Sequence, residues 1–145
     1  MILSRTDLLA IVSVVDIAVH GQDGPVRARD IERRHGLSRR YLDRTLQTLT
    51  SSGVLTGARG RFGGHRLARA PHRITIENVL SALRGTTDDV LGQARSSIIA
   101  DFVVPGLRHV EMELSKSLRR ITIHDLALGP PDRAKSSAAR RAGSR

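Results

Sequence analysis

Twelve arginines stand between Arg27 and Arg73, at positions 27, 29, 33, 34, 39, 40, 44, 59, 61, 66, 69 and 73. Only three acids, Asp30, Glu32 and Asp43, share that stretch. A guanidinium presents a rigid fork of donors that matches phosphate oxygens and the guanine edge, where lysine is a point charge. The whole chain of 145 residues carries a formal net charge of +10. A cluster of this kind suits a polyanion, either nucleic acid or an anionic membrane surface. A merely basic surface is the plain alternative, so the placement of the arginines matters more than their total.

Other chemistries lack their residues. The chain has no cysteine, which removes disulfides, thiolate metal sites, cysteine-ligated iron–sulfur clusters and cysteine nucleophiles together. The six histidines (20, 35, 65, 72, 109 and 124) offer no metal-ligand spacing beyond His109 with Glu113. That helical pair is far more often a surface contact than a site. Gly60, Gly63 and Gly64 permit close backbone approach, but the Gly-Lys-Ser/Thr of a phosphate-binding loop is missing. No Ser-His-Asp arrangement or nucleophile elbow stands out, so an enzyme is the least expected class. The N-terminus does not read as a signal peptide, and no run approaches the ~20 apolar residues of a membrane helix. A cytoplasmic location away from membranes is the expectation.

The arginines need elements to hold them. Ser4 to His20 reads as a helix, opened by a capping box of Ser4 with Asp7 and stopped by Gly21. Its apolar residues run nearly all round, as in a central, buried helix. After the turn Gln22 to Pro25, a short helix spans about Ala28 to His35 and ends at Gly36. Ser38 is placed to cap a third helix from Arg39 to about Ser52. Leu42, Leu46 and Leu49 share one face of it, and Arg39, Arg40, Asp43, Arg44 and Gln47 take much of the other. Apolar behind and arginine-rich in front is the pattern of a recognition helix. Strands at Val54–Thr56 and His65–Ala68 flank a glycine-rich turn carrying Arg59 and Arg61, with Arg66 on the second strand. Such a hairpin is a wing, and the set makes a winged helix-turn-helix.

Thr75 is placed to cap a helix from Ile76 to Arg84, with Gly85 as its stop, and Thr86 to Gly92 reads as a polar connector. A long helical pattern begins near Ala94, and Pro105 either kinks it or opens a second helix. Beyond it Leu107, Val110, Leu114, Leu118 and Ile121 recur three and four apart, a seam suited to a partner helix. Thr122 to Leu126 has room for a final short turn. From Gly129 the chain is Gly, Pro, Ser, Ala and Arg, and reads as a basic disordered tail.

An ordered set of residues resembles the Rrf2 family of bacterial regulators, which includes the IscR and NsrR types. The set runs through Gly24-Pro25-Val26, Asp30-Ile31, Gly36-Leu37-Ser38, Tyr41-Leu42, Gly53, Arg59-Gly60, Gly63-Gly64 and Leu67. It continues through Ile74-Thr75-Ile76 and Gly85, and returns at Leu118 to Leu126. The resemblance implies a homodimer joined through the long C-terminal helix, with two winged helices reading an inverted repeat. It also implies DNA contacts at Arg40, Asp43 and Arg59, where the iron–sulfur-type members commonly carry Ser, Glu and Arg. Arg59 matches, Asp43 is a shortened equivalent and Arg40 departs. In the wing Phe62 stands where glycine is common and His65 where tyrosine is common. The three cysteines of the sensing members have no counterpart between Thr86 and Val104.

The expected architecture is therefore mostly α with a small β-hairpin wing: a winged helix-turn-helix (1–85), a connector and dimerisation helix (86–128) and a basic tail (129–145). Residues expected at DNA are Arg39, Arg40, Asp43, Arg44, Arg59, Arg61 and Arg66, with Arg61 and Arg66 on phosphate. Leu107, Val110, Leu114, Leu118 and Ile121 are expected at the dimer seam. The expected function is a dimeric regulator, a repressor first, on double-stranded DNA and without a cofactor. Alternatives are a non-specific nucleic-acid module and a regulator answering to a protein partner; a small-molecule effector is a further option that no residue identifies.

Overall fold

A computed structural model describes residues 3–84 and 98–128. Helix α1 (Arg5–His20) is the central element, packed against the third and fourth helices of the winged domain and against the C-terminal one. Its capping box is formed: Ser4 N–H donates to Asp7 Oδ2 at 2.8 Å, and Asp7 N–H donates to Ser4 Oγ at 3.1 Å. Ala10, Val14 and Ile17 are fully buried on one face, whereas Leu9, Ile11 and Val15 are partly buried and Val19 is exposed, so burial is less complete than the all-round apolar pattern suggests. Asp16 is buried with them.

Helices α2 (Ala28–His35) and α3 (Arg39–Ser51) form the helix-turn-helix. Gly36 ends α2 at φ 63°, a left-handed position that an L side chain resists. Ser38 stands at the N-cap of α3 and its carbonyl accepts the first helical bond from Leu42 N–H at 3.0 Å, but its hydroxyl makes no capping bond, so the expected side-chain cap is not formed. Leu42, Leu46 and Leu49 are buried under α3 and contribute roughly 1.5–3 kcal/mol each. That burial fixes which face of α3 looks outward.

Strands β1 (Leu55–Ala58) and β2 (Gly64–Leu67) pair antiparallel, with Leu55 opposite Leu67 and Ala58 opposite Gly64. Both strands are shifted by about a residue from the sequence expectation, because the ladder continues to the glycines of the turn. Val26 and His65 bond reciprocally, Val26 N–H to the His65 carbonyl at 2.9 Å and His65 N–H to the Val26 carbonyl at 2.7 Å. The segment entering α2 is thereby stitched to the wing. A Cβ on Gly64 would meet the Val26 carbonyl oxygen at 2.7 Å, so this approach requires glycine.

A 3-10 turn (Pro71–Arg73) leads to α4 (Ile76–Leu83), which Thr75 and Asn78 cap reciprocally. The expected stop at Gly85, the connector, the start of the long helix near Ala94 and the tail from Gly129 lie outside the described residues. Past them a π-helical turn (Ile99–Val103) runs into α5 (Val104–Leu118). Pro105, second in α5, has no N–H to donate back to Asp101, and the helix changes register around it.

Helix α6 (Ile123–Leu128) is longer than the final turn expected there. It returns to the winged domain: Thr75 and Thr122 form a bridge, Ile76 N–H bonds the Ile121 carbonyl, and Ile123 N–H bonds the Ile74 carbonyl. Ile123 is fully buried in the core beside Ile74 and Val79. Among the described residues no helix is long and apolar enough to cross a membrane.

Candidate nucleic-acid interface

The buried leucines of α3 force Arg39, Arg40, Asp43 and Arg44 outward, and all four are exposed. Arg39 and Asp43 are four apart on the helix, and Arg39 Nε donates to Asp43 Oδ1 and Oδ2, each at 3.0 Å. The same guanidinium reaches Glu32 Oε2 from Nη1 at 3.5 Å. The Asp43 hydrogen bond leads the effects that raise the Arg39 pKa above its ordinary value. Asp43 is thus engaged within its own helix in the absence of DNA.

A cleft of about 590 Å³ separates α3 from the wing. Arg39 and Asp43 line one side and Arg59 the other. The structure brings these three expected site residues together. Arg44 instead lines a groove of about 880 Å³ on the opposite flank of α3, beside Tyr41 and Arg5. Arg40 lines neither space. Arg61 lies 6.0 Å from the centroid of the exposed Phe62 ring, a distant cation–π contact at the wing tip. Arg66 is exposed on β2 opposite Thr56.

Three further basic side chains line the cleft: Arg27 and Arg29 at the start of α2, and His65. Arg27 and Arg29 belong to the arginine run visible in the sequence, but their position depends on the Val26–His65 ladder, which no local pattern encodes. His65 is half-buried, and desolvation lowers its pKa although the Asp43 carboxylate pulls the other way. Its Nδ1 stands 3.5 Å from Thr50 Oγ1.

Behind the interface, Asp16 joins α1 to the end of α2. Arg34 Nε donates to Asp16 Oδ2 at 2.8 Å and Arg34 Nη2 to Oδ1 at 2.6 Å. His35 Nε2 stands 2.7 Å from Oδ2, and His20 Nε2 is 4.0 Å away. Burial pushes the Asp16 carboxyl up, but the Arg34 and His35 hydrogen bonds and the charges of Arg34 and His20 outweigh it and hold the pKa low. Sequence reading missed this network. Its signal was the single acid within the apolar run 8–19 of α1, since a buried carboxylate must be paired.

Two imidazoles and a carboxylate in one place are a metal-ligand inventory. Here Arg34 occupies both Asp16 oxygens, putting a cation where a metal would sit. Among the described residues no group of three His, Asp or Glu side chains could hold a metal ion.

The expected seam residues are placed unequally. Leu107 and Val110 on α5 are 56% and 63% exposed. Leu114 is half-buried, Leu118 packs against the core, and Ile121, beyond the helix end, is again exposed. Helix α5 buries none of its own residues.

A family model named Rrf2 and described as an iron-dependent transcriptional regulator matches residues 3–128. The HTH-type transcriptional regulator IscR of Aliivibrio salmonicida is 37% identical over 79 residues, covering 54% of this chain and 47% of the relative. IscR of Pectobacterium atrosepticum is 34% identical over 88 residues, covering 61% and 54%. The chain spans about half the length of these curated relatives. Among solved structures, T. potens IscR has a TM-score of 0.68 and 26% identity, covering 87% of this chain and 85% of its own. CymR, the global cysteine regulator of B. subtilis, shares the fold, with a TM-score of 0.65, 23% identity and coverage of 88% and 96%. The iron of the family description finds no cysteine ligand in this chain and no metal-binding cluster among its described residues. With the match running across the winged domain and the long helix alike, the chain belongs to the Rrf2 family of transcriptional regulators.

Proposed function

We propose that the protein is a sequence-specific regulator that binds an inverted-repeat operator as a homodimer, without an iron–sulfur cluster, and first of all as a repressor. The observation that carries this reading is the cleft between α3 and the wing, with Arg39 and Asp43 on one wall and Arg59 on the other. A recognition helix enters the major groove with the N-terminal residues that meet base edges. Arg39, Arg40 and Asp43 occupy the start of α3 and are exposed. A wing arginine is suited to a narrow minor groove, where the negative potential is deepest. Arg59 is the exposed residue at the start of the wing turn.

The Arg39–Asp43 pair does not stand in the way. An exposed pair four residues apart on a helix is worth only about 0.3–0.5 kcal/mol. A good base contact is worth about 1–3 kcal/mol, so Asp43 can exchange its partner for a cytosine amino group with net gain.

Dimerisation rests on α5. An isolated helix of its length is marginal in water, and its exposed Leu107 and Val110 need cover. A second copy aligning the same stripe supplies it.

The deciding experiment is binding to an inverted-repeat fragment from the protein's own upstream region, with scrambled duplex as competitor and sedimentation to give the stoichiometry. Competitor-resistant binding of a dimer is expected. Equal displacement by scrambled DNA would favour the second reading, a general nucleic-acid module, which the excess of arginine over acid between 27 and 73 supports. A stoichiometric co-purifying protein would favour control by a partner.

A further inference from the structure

We propose that Arg27 and Arg29, at the start of α2, form a phosphate-binding wall that holds the DNA strand running between the recognition helix and the wing. The proposal rests on the reading above and adds two residues to the interface.

The charge balance of the cleft is the first argument. Four arginines line it, Arg27, Arg29, Arg39 and Arg59, against a single carboxylate, Asp43. Arg39 binds Asp43 and also reaches Glu32 on the neighbouring helix. One arginine therefore engages the cleft's single carboxylate and Glu32 of α2 as well. The guanidinium groups of Arg27, Arg29 and Arg59 have no hydrogen-bond or ion-pair partner among the described residues. Arg27 is the more informative of the two new residues, because it is half-buried and still unpaired. A side chain held against the protein with its charge unmatched is a receptor for an anion.

Position is the second argument. The Val26–His65 ladder pins the residue before Arg27 to β2 at 2.7 and 2.9 Å. Gly64 is what allows the approach. Arg27 is thereby fixed relative to the wing rather than placed on a mobile arm. Such pre-positioning removes part of the ordering cost of a contact.

DNA geometry is the third. A helix in the major groove and a wing in the adjacent minor groove must have one sugar–phosphate strand between them, because a strand separates the two grooves. The cleft between α3 and the wing is where that strand lies. Arg27 and Arg29 face it from α2, beside rather than over the base edges. They are therefore suited to phosphate, which sets register and affinity without carrying sequence information.

The test measures the salt dependence of binding for the full chain and for an Arg27→Ala/Arg29→Ala variant. The probes are the upstream inverted-repeat duplex and a scrambled duplex of equal length. Each lost phosphate contact makes the slope of log K against log salt shallower by about 0.9. The expected change is about two per substituted protomer, with both duplexes weakened by the same factor and their ratio preserved. Arg27→Lys/Arg29→Lys should restore most of the slope, since lysine still neutralises a phosphate. Arg29→Ala alone covers the case in which Arg27→Ala harms folding, because Arg29 is exposed. A variant with the wild-type melting curve and an unchanged slope would overturn the proposal, as would a loss confined to the specific duplex. If the unmodified protein binds both duplexes equally, sequence specificity fails, while the slope comparison still decides the role of the two arginines.

Discussion

Arg59 carries the sharpest expectation at the scale of single residues. It is exposed at the edge of the cleft, with no ion-pair partner among the described residues, and the resemblance to the family implies a DNA contact there. Arg59→Ala should lower affinity for the specific duplex by ~1–3 kcal/mol at fixed salt and reduce its ratio to scrambled DNA. An unaltered ratio would remove Arg59 from the readout. His65 gives a different kind of prediction. Burial depresses its pKa below the ordinary value of 6.5, so the unfolded chain takes up the proton first as pH falls. The contribution of neutral His65 is fully present above about pH 6.5 and declines as pH drops from there toward the lower native value. Urea melts between pH 7.5 and 5 should show this loss, and His65→Gln should flatten it. Asp16 acts in a lower window. Its depressed pKa means its stabilisation holds above the ordinary value of 3.8 and is lost only in stronger acid.

At the scale of elements, the two ends of the C-terminal segment behave differently. Helix α5 exposes Val110, so Val110→Glu costs the monomer little and acts on whatever covers the stripe. Sedimentation is expected to give a dimer for the parent protein, as proposed, and a monomer for Val110→Glu; a persistent dimer would place the interface elsewhere. Helix α6 belongs to the core instead. Ile123 is fully buried, and Ile123→Ala should cost about 2–5 kcal/mol in chemical denaturation. That loss would also disturb the Thr75–Thr122 bridge and so loosen the capped start of α4. A change below 1 kcal/mol would mean that α6 docks only weakly.

At the scale of the whole molecule, charge is distributed between a shaped cleft and a terminal run. Residues 129–145 carry Arg133, Lys135, Arg140, Arg141 and Arg145 against one acid, Asp132. Such a run adds sequence-independent attraction to DNA, which scales with the phosphates neutralised. Removing residues 129–145 should make the salt slope shallower while leaving the ratio of specific to scrambled affinity intact. An identical slope would show that the tail does not touch DNA. The contrast with Arg59→Ala, which moves the ratio, separates general attraction from readout.

Helix positions, the outward face of α3, the wing turn and the exclusion of cysteine chemistry were legible in the sequence alone. Each depends on local periodicity, capping and glycine placement, or on the presence of a residue type. Leu42, Leu46 and Leu49 declare by spacing which side of α3 is buried, and so which side carries Arg39, Arg40, Asp43 and Arg44. What the tertiary structure decided depends on contacts between residues far apart in the chain. Asp16 meets Arg34 and His35 across 18 and 19 positions, Val26 meets His65, and Ile123 returns to Ile74. Arg44 turned to the groove beside α1, and Arg27 and Arg29 turned to the cleft, for the same reason. A helical repeat tells which side of a helix is polar, but only the neighbours packed around it settle what that side faces.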